Sequence, residues 1–188
     1  CFRAGLALLG PGRWVDHAAL ARELHLGAAE AAYLVADLAV LTELLDGLLD
    51  LSRLDSGVTQ PIPQAVRVSE LWQRVHRQFA ETAAAKHLEL RFRASPLWVV
   101  TDIELLHRIL LNLVSNAIRY TSTGGVLVGC RRAGEHARLE VWDTGTGISP
   151  RHRQEMFKEF VQLDNTEHAN GLGLGLAIVE RAAQLLGH

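Results

Sequence analysis

Apolar and polar positions divide the chain into two kinds of pattern. From Ala28 to Asp55 the apolar residues recur at helical spacing: Leu34, Leu38, Leu41, Leu45 and Leu48 follow a 4-3-4-3 rhythm, and Leu44 and Leu51 widen the stripe. This predicts one helix roughly 40 Å long at ~1.5 Å per residue. A stripe of that length can be the inner face of an ordinary core helix. It can also be the seam of a bundle, in which an antiparallel partner helix and a second copy of the chain bury it; the regular leucines favour the seam. Pro11-Gly12 interrupts any helix begun near the N-terminus, and Gly57 is placed to cap the long one. Residues 1–57 are therefore expected to form a helical hairpin.

Val58-Thr-Gln-Pro-Ile-Pro-Gln64 has no helical period and carries two prolines, so residues 58–65 are expected to be an extended linker. From residue 66 to 188 the signals alternate. Val66–Val68 predicts a short strand, and Ser69 is placed to cap a helix reaching about Lys86. Leu88–Ala94 alternates as a half-exposed strand, and Leu97–Val100 predicts another. Thr101-Asp-Ile-Glu104 has the form of a capping box opening a helix to about Arg119. Gly125–Arg132 and His136–Asp143 predict a hairpin. Residues 144–171 predict an irregular stretch with a short helix near 151–157, and a last helix begins near Leu174. The expected fold class of residues 66–188 is an α/β sandwich, a mixed sheet covered by helices, preceded by the helical hairpin.

Composition narrows the function classes. Of 188 residues, 48% are hydrophobic and 21% charged, which suits a folded chain, and the net charge of -2 lacks the basic excess of a nucleic-acid binder. Cys1 and Cys130 give neither a disulfide framework nor a zinc pattern, which fits a cytoplasmic setting. No apolar run reaches the ~18 residues of a membrane span, so no membrane contact is expected of this segment, and any anchor of a parent protein would lie outside it. The nine histidines form no ligand cluster.

Four short motifs carry candidate chemistry. Asn112, Asn116 and Arg119 fall on one helical stripe beside Tyr120, next to an apolar stripe of Ile103, Leu106, Leu110, Leu113 and Ala117. An amide oxygen is a suitable hard ligand for Mg²⁺ and a guanidinium can meet phosphate, although a solvated polar face would look the same. Asp143-Thr-Gly145-Thr-Gly147-Ile148 ends a strand. Its carboxylate can accept from an exocyclic amine while the glycines let backbone approach a flat ligand, or it is simply a glycine-rich turn. Phe157-Lys-Glu-Phe160 can anchor a mobile segment or pack in a core. Gly171-Leu-Gly173-Leu-Gly175-Leu176 opens the last helix, where exposed N–H groups can bind phosphate. The spacing is that of neither a dinucleotide fingerprint nor a P-loop.

Taken together and in this order, the motifs resemble the N, G1, F and G2 boxes of the catalytic domain of bacterial sensor histidine kinases, over about residues 66–188. Leu48-Leu-Asp-Leu-Ser-Arg-Leu-Asp-Ser-Gly57 is similar to the end of their second dimerisation helix. The resemblance implies the Bergerat-type ATP-binding fold shared with DNA gyrase, MutL and the HSP90 chaperones, with ATP and Mg²⁺ bound. Asn116 would ligate the metal, Asn112 support the phosphates, Arg119 contact phosphate and Tyr120 flank the nucleotide. Asp143 would accept from the adenine amine, with Gly145, Gly147 and Ile148 shaping that pocket. Phe157 and Phe160 would pin an ATP lid spanning about 149–170, and Gly171, Gly173, Gly175 and Leu176 would meet the phosphates or hinge the lid. The implied reaction is γ-phosphoryl transfer to a histidine, then to a response-regulator receiver domain, by a homodimer formed through the hairpin. The wording of residues 160–164 resembles hybrid kinases, which carry a receiver downstream.

Departures from the family pattern shape the alternatives. Cys1-Phe-Arg-Ala-Gly-Leu6 aligns with the tail of the acceptor motif, so the acceptor histidine is expected before Cys1; His17 and His25 lack its context. Gln162 stands where many relatives have a basic lid residue, and the family's closing strands are expected beyond His188. A degenerate, dimeric ATP-binding and partner-docking module is one alternative. A hydrolytic ATPase is another, but hydrolytic relatives carry a Glu four residues before the metal-binding Asn, and Asn112 stands there.

Overall fold

The computed structural model describes residues 34, 38, 41–42, 45–55, 59–153, 155–161 and 173–188. The chain forms two compact units, Cys1–Asp46 and Gly47–His188, which divide upstream of the expected 58–65 linker. In the first unit Leu34, Leu38, Leu41, Thr42, Leu45 and Asp46 are helical. The four leucines are 52–62% exposed, and the Thr42 hydroxyl donates to the Leu38 carbonyl one turn back at 2.8 Å. The expected cap at Gly57 lies outside the described residues.

The helical run 47–55, which opens the second unit, is labelled α1. Then come β1 (Gln64–Arg67), α2 (Val68–Ala85), β2 (Glu89–Phe92), β3 (Trp98–Thr101), α3 (Ile103–Tyr120), β4 (Gly125–Ala133), β5 (His136–Asp143) and α4 (Gly175–Leu185). The strands form an antiparallel β1–β3 pair and a mixed three-stranded sheet in the order β2–β4–β5. β2 runs parallel to β4, with Glu89 opposite Gly125. The β4–β5 hairpin is antiparallel, from Val126 opposite Asp143 to Ala133 opposite His136. Its period-two pattern turns Val126, Val128 and Cys130 to the core and leaves Leu127 and Arg131 exposed. Arg131 closes on Glu140 across the outer face at 2.8 Å.

α2 and α3 cover the inner face of the sheet. Leu71, Trp72 and Val75 meet Leu106, Leu110, Val114, Ala117 and Ile118 over Val126 and Val128. Trp72 Nε1 donates to the Arg93 carbonyl at 2.9 Å, so the indole is buried without an orphaned N–H. The buried surface of α3 is broader than the single stripe expected from sequence. Leu105 and Ile109 enter a second cluster with Leu51 and Leu54 of α1 and with Leu174, Ala177, Ile178 and Ala182 around α4. Two ion pairs border it, Asp50–Arg108 at 2.9 Å and Asp55–Arg181 at 3.0 Å. Helix α3 is thus buried on two flanks, which is why apolar residues occupy more than half of its length.

Two expected caps are displaced by one or two residues. Ser69 is already inside α2, whose N-cap is Arg67, without a side-chain hydrogen bond. Asp102, not Thr101, caps α3, its carboxylate accepting from the amides of Glu104 and Leu105. A carboxylate is the stronger partner for two exposed amides at the positive end of a helix. Asp102 also accepts from Ile62 N–H at 2.8 Å, which ties the segment before β1 to α3. At its C-terminus α2 closes in a Schellman arrangement, Leu88 N–H to Ala83 O and His87 N–H to Ala84 O, both 2.9 Å. The residue that must turn left-handed there is His87, at φ 56° rather than a glycine.

Two predictions follow from these helix ends. His87→Gly removes the left-handed penalty and is expected to raise stability by about 0.5–1 kcal/mol in urea denaturation; a lower midpoint would show the corner to be unstrained. For Asp102, burial alone would raise the carboxyl pKa, but the amides of Ile62, Leu105 and Glu104 outweigh it and hold it below the ordinary carboxylate value. A depressed folded pKa means the carboxylate stabilises the fold above the ordinary value near ~4, and this is lost as pH falls through the folded value. Asp102→Ala should therefore cost about 1 kcal/mol at neutral pH and progressively less in acid. A pH-independent difference between the two proteins contradicts this.

Candidate functional site

The N-terminal half of α3 serves the core, and its C-terminal half gathers the candidate polar residues. Asn112, Asn116 and Arg119 are half-buried, and Tyr120 is 37% exposed. Two glycine-bearing segments press against this half of the helix from different parts of the chain. A Cβ at Gly145 would lie 2.4 Å from the Tyr120 carbonyl oxygen, a distance that only glycine tolerates. A Cβ at Gly175 would lie 2.9 Å from Asn112 Oδ1 and 3.7 Å from Asn116 Nδ2. The motifs read separately in the sequence are therefore lined up along one helix. The G1 turn meets Tyr120, and the G2 helix start meets Asn112 and Asn116. These meeting points are separated by about 6–12 Å along the axis at ~1.5 Å per residue.

Asp143 lies at the end of β5 opposite Val126, a core-facing residue, so its side chain is on the helix-covered face of the sheet. One carboxylate oxygen, Oδ1, accepts from Gly145 N–H at 2.9 Å. Among the described residues no donor is seen on the other. Thr144 braces the turn: its hydroxyl accepts from Gly125 N–H at 3.1 Å and donates to the Thr123 carbonyl at 2.9 Å. Gly147 has a left-handed φ of 69°, and Ile148 is 39% exposed.

Asn112 Nδ2 donates to the Arg108 carbonyl at 3.0 Å, which fixes the amide and sends its oxygen toward Gly175. Arg108 in turn pairs with Asp50 of α1. Around the F motif, the described residues 150–153 and 155–160 form turns and a bend rather than the expected short helix; His152 and Met156 amides close i→i−3 and i→i−4 bonds. Phe157 is half-buried, while Phe160 is 58% exposed and held at φ 61°. Phe160 N–H donates to Gly173 O at 3.1 Å. Gly173 has φ 70°, and a Cβ there would strike the backbone of Phe160 and Val161. Phe160 and Gly173 are thereby fastened together. Leu174 is buried in the second cluster and Leu176 is half-buried. Gly171, Gln162 and the rest of 162–172 lie outside the described residues.

Sequence reasoning missed one contributor. Lys86 Nζ donates to the carbonyls of Ile118 and Arg119, at 3.0 and 3.1 Å, in the last turn of α3. Nothing local in the sequence marks it, because the contact joins elements far apart in the chain.

Comparison with known proteins identifies the family of the chain. Residues 101–188 match the family described as histidine kinase-, DNA gyrase B-, and HSP90-like ATPase. The chain is 35% identical over 159 residues to the sensor histidine kinase GacS of Pseudomonas protegens, covering 78% of this chain and 17% of GacS. It is 32% identical over 146 residues to the sensor protein kinase PmrB of Pseudomonas aeruginosa, covering 77% of this chain and 31% of PmrB. The chain thus spans a third or less of these relatives. Among solved structures, full-length ShkA in complex with AMPPNP superposes with a TM-score of 0.72 at 31% identity, over 84% of this chain and 34% of ShkA. The catalytic domain of histidine kinase ThkA gives 0.58 at 25% identity, over 66% and 82%.

The approach of Gly145 to Tyr120 is directly testable. Gly145→Ala must push the turn off the end of α3 and is expected to cost about 1–3 kcal/mol of stability by urea denaturation. A midpoint equal to that of the unaltered chain would mean the two segments are not in contact.

Proposed function

The chain belongs to the sensor histidine kinases, whose ATP-binding catalytic domain it carries, and on that basis we propose that it binds Mg-ATP along the C-terminal half of α3 and donates the γ-phosphoryl group to a histidine. One observation carries this reading. The turn of Asp143 and Gly145 and the helix start at Gly175 close on the same helix, at Tyr120 and at Asn112 and Asn116 respectively. A base-recognising carboxylate and a phosphate-facing helix start are thereby set apart along one flank.

In this reading the free oxygen of Asp143 accepts from the adenine amine, and Gly145, Gly147 and Ile148 shape the base pocket. Tyr120 flanks the nucleoside and Arg119 contacts phosphate. Gly173 and Gly175, with Leu176, place backbone N–H groups at the phosphate end, where the helix N-terminus favours anions; the same role is proposed for Gly171 from the motif alone. Phe157 and Phe160 pin the lid. The donor set fits a divalent cation: Asn116 offers a hard amide oxygen, and Asn112 holds the neighbouring wall. Mg²⁺ bound there would neutralise charge on the phosphates, and the protein's contribution is mainly positioning. The imidazole nitrogen of the acceptor forms a bond to the γ-phosphorus as the bond to the β-phosphate oxygen breaks, and ADP leaves. Asn112 has no basic carboxylate with which to activate water, which favours transfer over hydrolysis.

The rest of the reading is supported by likeness to the longer relatives. The exposed leucines Leu34, Leu38, Leu41 and Leu45 provide a seam for a second copy, and the phosphoryl group passes to a response-regulator receiver domain. We place the reaction in the cytoplasm, where ATP is available; among the described residues no helix is long and apolar enough to cross a membrane.

The prediction is twofold. Asp143→Ala should abolish binding of AMPPNP with Mg²⁺ by calorimetry while the fold is retained; unchanged affinity would displace the pocket. The longer protein, incubated with γ-labelled ATP and Mg²⁺, should acquire acid-labile, base-stable label. Nucleotide binding without label would indicate a docking module, and steady phosphate release without label a hydrolase.

A further inference from the structure

Helices α2, α3 and α4 do not end alike. α2 and α4 are closed by their own backbones: the amides that follow them return to last-turn carbonyls, Leu88 to Ala83 and His87 to Ala84 in α2, His188 to Ala183 and Gly187 to Gln184 in α4. α3 has no such closure among the described residues. It passes directly into Thr121, which is extended at φ -101°, ψ 121°. A helix end left this way has unpaired carbonyls and frays readily. Yet this is the end on which the site depends, since it bears Arg119 and Tyr120 and its last carbonyl receives Gly145.

Lys86 supplies the missing closure. Its ammonium donates to the carbonyls of Ile118 and Arg119 and places a positive charge on the negative end of the helix dipole. Lys86 is itself placed by the turn that ends α2, where His87 and Leu88 lock the backbone immediately after it. We propose that Lys86 is a positioning residue of the nucleotide site. It caps α3 from outside and so holds Arg119 and Tyr120 where nucleotide meets them, without touching nucleotide itself. The proposal rests on the nucleotide-site reading above and extends it to a residue outside the four motifs.

The test compares Lys86→Met, which keeps the length of the side chain but loses cation and donors, with Lys86→Arg, which keeps both. Titration of the full chain with AMPPNP and Mg²⁺ is expected to show Lys86→Met binding about fivefold to tenfold more weakly, as charge-assisted hydrogen bonds of this kind imply, and Lys86→Arg within about twofold of the unaltered chain. Hydrogen exchange should quicken at the amides of the last turn of α3 in Lys86→Met, and not in α2 or α4. Equal affinity in all three proteins overturns the proposal. So does equal weakening by Met and Arg with exchange raised throughout the domain, which would make Lys86 a general structural residue. Failure of the unaltered chain to bind AMPPNP would remove the nucleotide-site reading, and this proposal with it.

Discussion

Everything in the catalytic unit depends on one helix being useful on three sides. α3 lays Leu106, Leu110 and Val114 on the sheet, turns Leu105 and Ile109 toward α1 and α4, and keeps the flank of Asn112, Asn116 and Tyr120 for the site. Burial of each large aliphatic side chain contributes about 1.5–3 kcal/mol, so the two apolar flanks fix the rotation of the helix. That rotation decides where the amides point. The polar flank cannot be re-aimed without exposing one of the cores.

The same economy governs the approach of the other segments. Gly145 and Gly175 come close because they have no side chain, and each meets a different turn of α3. The F motif and the start of the last helix are joined by the amide of Phe160 on the carbonyl of Gly173. Behind the site, α1 contributes Leu51 and Leu54 to the cluster that holds Leu174, and Asp50 reaches Arg108, whose carbonyl holds the Asn112 amide. The helix that leads into the unit is therefore linked through two steps to the wall at Gly175.

Much of this was legible in the residues. The β4–β5 hairpin follows from strict alternation around Ala133-Gly134-Glu135, and the structure ends its strands within a residue of the expected positions. The motifs in their order were enough to suggest which residues meet. What escaped was set by geometry between elements. Thr101 and Asp102 are both plausible caps, and the amides of Glu104, Leu105 and Ile62 that converge on the Asp102 carboxylate show why it is favoured. The second apolar flank of α3 could not be assigned before its partners, α1 and α4, were placed. His87 reads as an ordinary polar residue, because nothing short of the backbone angle reveals a left-handed corner. Lys86 escaped for the same reason as every long-range contact: its partners lie an entire helix and two strands away.

The parallel pairing of β2 with β4 has a consequence for how the unit assembles. β4 and β5 are joined by a tight turn and can zip together locally, whereas β2 meets β4 only after β3 and the whole of α3 have been traversed. Closing that long loop costs chain entropy before any ladder bond compensates for it. The hairpin with α3 collapsed on it is thus the natural nucleus, and α2 with β2 the late arrival. Substitutions in β2 should then act on the rate of unfolding, while those in the hairpin act on the rate of folding.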